Sequence, residues 1–71
     1  MNKEEKKVLN DFNDELRQRV KNARSMGITH KVITFRCEFG TSTLKCWLAG
    51  RYNFKVDKAL RLDEVLGGFG F

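Results

Sequence analysis

On a helical spacing, Thr41, Ser42, Lys45 and Cys46 share one face, with Gly40 at its head. The two hydroxyls both donate and accept hydrogen bonds, the lysine donates, and the cysteine is a weak partner suited to packing on a methyl group. All are short or flexible, so such a helix can enter a groove about 12 Å wide and meet base edges there. The same Thr-Ser pair is equally suited to capping a helix start. Lys45 suits a guanine edge, a phosphate or plain solvent. His30, Lys31, Arg51 and Lys55 flank this segment and are candidate phosphate contacts, as is the backbone of Gly40. Free N–H groups at a helix start near His30 would help it hold an anion.

Other chemistries are poorly served. The chain has one histidine, no Ser-His pairing signal, no clustered carboxylates and no glycine-rich phosphate loop, so no active site is expected. Cys37 and Cys46 form no CxxC pair, so neither a metal site nor any cofactor is expected. Cys37 reads as a small buried hydrophobe, and a disulfide is not expected. The formal net charge is +5. Most of it lies between residues 25 and 55, where Lys31, Arg36, Lys45, Arg51 and Lys55 face Glu38 alone. An anionic partner is therefore expected to meet the middle of the chain.

The elements that must position these residues follow from apolar spacing and breaks. Leu9, Phe12, Leu16, Val20 and Ala23 recur at three- and four-residue steps, which predicts a helix from Lys3 to Met26, frayed before Val8 and stopped by Gly27. Thr29 is a good N-cap for a second helix over His30–Cys37 with Ile33 and Cys37 inward. The Val32–Phe35 run also has strand character. A third helix is expected from Thr41 to Ala49, burying Leu44, Trp47 and Leu48 and ending at Gly50. Trp47 belongs to the core because it shares a face with Leu44. Asn53 reads as a turn residue. A fourth helix is expected from Val56 to Leu66, with Val56, Ala59, Leu60, Leu62 and Val65 as its apolar set and Gly67 and Gly68 as its stop. The Phe69-Gly70-Phe71 tail is expected to be flexible.

Residues 29–50 place Ile33, Cys37, Phe39, Leu44 and Trp47 where two short helices around a tight turn need apolar groups. With the Ser42–Trp47 run, the Gly50-Arg51-Tyr52-Asn53 turn and the Leu60–Gly67 segment, this resembles the helix-turn-helix of the phage repressor and Cro family, the lambda-repressor-like domains. The resemblance spans roughly residues 13–67. It implies an all-α, four-helix domain over residues 1–71 with an extended first helix and a helix-turn-helix core at 29–50. Several positions depart from the family pattern. His30 stands where glutamine is usual, Thr34 replaces a small alanine, Glu38 the turn glycine, Gly40 a capping Ser or Thr, and Phe54 a proline. Glu38 would need a left-handed or altered turn. The family's usual fifth helix has no counterpart in these 71 residues.

The resemblance implies a phage-derived, sequence-specific transcriptional regulator. It would bind duplex operator DNA as a homodimer on a pseudo-palindrome, its third helix in the major groove. Thr41, Ser42, Lys45 and Cys46 would then meet bases, and His30, Lys31, Gly40, Arg51 and Lys55 phosphates. The alternative is an interaction protein that keeps the scaffold to bind and inhibit another protein. The charged N-terminus and the absence of any long apolar run lead to the expectation of a cytoplasmic protein of a bacterial cell or phage-infected host, with no membrane partner and no small-molecule substrate.

Overall fold

The computed structural model describes residues 3–71. Those residues form four helices and no strand: α1 (Lys3–Ser25), α2 (His30–Cys37), α3 (Thr41–Leu48) and α4 (Val56–Gly68). α4 packs against both α1 and α2, and α2 against α3. Leu16, Val20, Ala23, Ile33, Leu44, Trp47, Ala59, Leu62 and Leu66 are fully buried between them, with Cys37 and Phe54 nearly so. The strand-like Val32–Phe35 run is helical because Ile33 and Thr34 are the residues that reach the core, and Thr29 caps the helix by accepting from the Val32 N–H. Thr34 satisfies its buried hydroxyl on the His30 and Lys31 carbonyls.

All four helices end alike. A residue with positive φ follows the last turn, and the next N–H returns five residues to an orphan carbonyl: Ile28 to Ala23, Phe39 to Thr34, Arg51 to Cys46 and Phe71 to Leu66. Glycines 27, 50 and 70 hold three of these positions, and Glu38, at φ 63°, holds the fourth. Of the left-handed and altered turns open to Glu38, the structure has the left-handed one.

The pattern also corrects two expectations. Gly67 and Gly68 do not stop α4 but continue it, and Gly70 makes the turn. The tail is not loose: Phe71 is half-buried against the core, and its carbonyl accepts from Arg19 Nε. The first helix is helical from Lys3 rather than frayed before Val8. Leu48 is half-buried, and Val56 and Leu60 are exposed, because the inward face of α4 is the narrower Ala59–Leu62–Leu66 row.

Candidate nucleic-acid interface

The outward face of α3 is anchored from beneath. Trp47 lies fully buried under it and stacks on Phe54, ring centroids 4.8 Å apart and nearly coplanar. The indole N–H donates to Asn13 Oδ1 at 2.7 Å, and the same oxygen accepts from the Phe54 N–H at 2.8 Å. The Asn13 amide donates to the Leu9 and Phe54 carbonyls. One turn further along α1, Arg17 donates from Nε to the Trp47 carbonyl at 2.7 Å, and from Nη2 to the Tyr52 carbonyl and Asn53 Oδ1. Its guanidinium lies 4.9 Å from the centre of the Trp47 ring. Tyr52 in turn donates its hydroxyl to the Thr43 carbonyl at 2.9 Å. The end of α3 and the loop carrying Arg51 are thus tied to the long first helix through polar groups, not only through apolar packing.

On this platform Thr41, Ser42 and Lys45 are exposed, and Cys46 is half-buried at the side of the same face. Gly40 is the N-cap of α3 with no side chain to bond there, so the first α3 N–H groups have no side-chain cap. His30 is half-buried at the start of α2. Burial first, then the neighbouring positive charges of Arg24 and Lys45, holds its imidazole below the ordinary histidine range. Arg24, His30 and Lys45 therefore form one cluster, its positive charge carried by Arg24 in the last turn of α1 and Lys45 in the last turn of α3, with the neutral His30 ring at the start of α2 under the influence of both. Arg51 is exposed at the opposite end of α3 from Thr41.

Two expected contacts lie apart from that cluster. Lys31 sits on the outward face of α2 with Val32, Phe35 and Arg36. Lys55 caps α4 and lines a groove with Lys6, Asn10 and Asp57. Sequence reasoning missed Arg24, Asn13, Arg17 and Tyr52. Only Tyr52 had a local signal, its place in the Gly50–Asn53 turn.

Burial pushes the Cys37 thiol up to about 11, with Arg61 opposing, which makes it a poor nucleophile near neutrality. No group of three or more potential metal ligands occurs among the described residues, and no helix among them is long and apolar enough to cross a membrane. No family model matches the chain, and no curated protein or solved structure shows significant similarity to it.

Proposed function

We propose that the chain is a sequence-specific duplex-DNA-binding regulator of the helix-turn-helix type, with α2 and α3 as the motif and α3 as the helix that enters the major groove. The observation that carries this reading is the α3 surface itself. Its exposed side chains are small or flexible hydrogen-bonding groups, yet the helix beneath them is rigidly held by Trp47, Asn13 and Arg17. In this reading Arg24, His30 and Lys45 would meet a phosphate strand beside the groove, and Arg51 would add positive charge just beyond the C-terminal end of α3. Phosphate contacts would set register, and Thr41, Ser42 and Lys45 would read sequence.

Selection of bound sequences from random duplex DNA, followed by footprinting, tests the proposal. An enriched motif is expected. Binding should also be steeply salt-dependent. If one copy neutralises about three or four phosphates, two adjacent copies should lose roughly 10³-fold or more in affinity between about 50 and about 200 mM salt. No enrichment, or affinity unchanged over that range, rejects it. The second reading, a protein-interaction scaffold, is favoured by one observation: Phe35 is 84% exposed on the face of α2 opposite the core.

A further inference from the structure

Phe35 is the most exposed large hydrophobic side chain among the described residues, and it is not isolated. With Val32 it forms an apolar knob between two bases, Lys31 and Arg36. A second apolar surface lies elsewhere. Val8, Leu9 and Phe12 of α1 and Val56 and Leu60 of α4 line a groove of about 320 Å³, with Glu5 also in its lining. Val8, Val56 and Leu60 are 68%, 45% and 52% exposed. The helical register sets exposed acids along its α1 rim, Glu4, Asp11 and Glu15 beside Val8 and Phe12, while Asp57 shares the Val56 end with Lys6 and Lys55.

The two surfaces are complementary in kind and in charge, one a protruding aromatic flanked by bases, the other an apolar furrow flanked by acids along its α1 rim. They cannot meet within one chain. Val56, Leu60 and Asp63 lie on the flank of α4 that faces α1, whereas Phe69, under the Arg36 guanidinium, and Arg61 lie on the flank that faces α2. We propose that the groove's occupant is the Phe35 knob of a second copy of this chain, in a head-to-tail contact that repeats from copy to copy. A two-fold dimer built on one of these surfaces alone would set like charge against like, and one built on both would need knob and groove side by side, whereas they lie on different flanks of α4. The head-to-tail contact pairs unlike with unlike and leaves the exposed face of α3 free on every copy. The patch is small, so the contact is weak in dilute solution.

The test uses the whole chain in solution without DNA and does not depend on the DNA-binding reading. Sedimentation is followed from about 10 µM to about 1 mM, the range where contacts of this size register. The wild-type weight-average mass is expected to climb past twice the 8.3 kDa monomer without a plateau. Phe35→Glu and Leu60→Glu, both at exposed sites, should keep wild-type helicity and melting temperature yet each remain monomeric. An equimolar mixture of the two should form a species of twice the monomer mass and nothing larger, since each variant supplies the surface the other lacks. A wild type that stays monomeric at the highest concentration overturns the proposal. So does a mixture that fails to pair, or a Phe35→Glu variant that associates as the wild type does, which would mark a groove-to-groove dimer or another interface.

Discussion

The Asn13 carboxamide oxygen accepts from the Trp47 indole N–H at 2.7 Å across 34 residues of sequence, and both side chains are fully buried. Through that one oxygen α1 also holds the Phe54 backbone N–H, and through its nitrogen the Phe54 carbonyl. An asparagine amide has two acceptor sites and two donor protons, and here all four are used. The fully satisfied side chain fixes how far α3 and the following loop stand from α1.

Asn13→Ala should therefore be among the most damaging single changes. It strands the indole N–H and the Phe54 N–H and carbonyl away from water, each at about 1–3 kcal/mol. A loss of ~3 kcal/mol or more is expected. At roughly 4–8 °C per kcal/mol for a chain this size, melting should drop by more than about 12 °C. Thermal denaturation followed by circular dichroism measures it. A drop of only a few degrees would show that water or a neighbouring group replaces the amide.

Glu38→Gly should stabilise. An L-residue in the left-handed region costs roughly 1–2 kcal/mol, and glycine removes that cost while making the unfolded chain more flexible. The net gain should be about 0.5–1 kcal/mol, read as a raised midpoint in chemical denaturation. Removing the carboxylate from the turn should also strengthen DNA binding if the turn lies near phosphate. A destabilised variant would mean that Glu38 makes a contact worth more than its backbone strain.

The helix bounds at α2 and α3 were legible because Ile33, Cys37, Leu44 and Trp47 recur at helical steps and because Thr29 and Gly50 mark a start and a stop. The exposed positions of Thr41, Ser42 and Lys45 followed from the same register. Asn13 and Arg17 were not legible. On an amphipathic helix a polar residue defaults to the solvent side, and only the tertiary position of Trp47 and the 52–54 loop turns these two inward. Val56 and Leu60 misled for the converse reason. They keep helical spacing, but α1 covers only part of that face and leaves a groove.

Thr41→Ala, Ser42→Ala and Lys45→Ala test whether α3 reads sequence. Each hydroxyl loss should leave helicity intact, cost ~1–3 kcal/mol on the preferred site and much less on random duplex. If Lys45 meets a base, its loss relaxes preference at one position. If it meets phosphate, binding weakens on all sequences and the salt slope falls by about one. Arg51→Ala should behave as a pure phosphate contact. If the three α3 variants bind specific and random DNA as the wild type does, α3 is not the reading helix.

His30 should couple DNA binding to pH, with a sign opposite to its effect on stability. Its imidazole is held below the ordinary value of 6.5 by burial, then by Arg24 and Lys45. Well above 6.5 the ring is neutral in both folded and unfolded chains and contributes nothing. As the pH falls from there towards the lowered folded value, the unfolded chain takes up a proton that the folded chain resists, so stability declines across that window and then levels off. A phosphate beside the cluster reverses the local field and favours the imidazolium. DNA binding should therefore take up to about one proton per copy and tighten as pH falls through the same window. Measured at constant ionic strength between about pH 5.5 and 7.5, His30→Gln should flatten both responses. If the wild-type affinity shows no pH dependence there while its stability still declines on acidification, no phosphate sits against His30, and the positive cluster is not part of the interface.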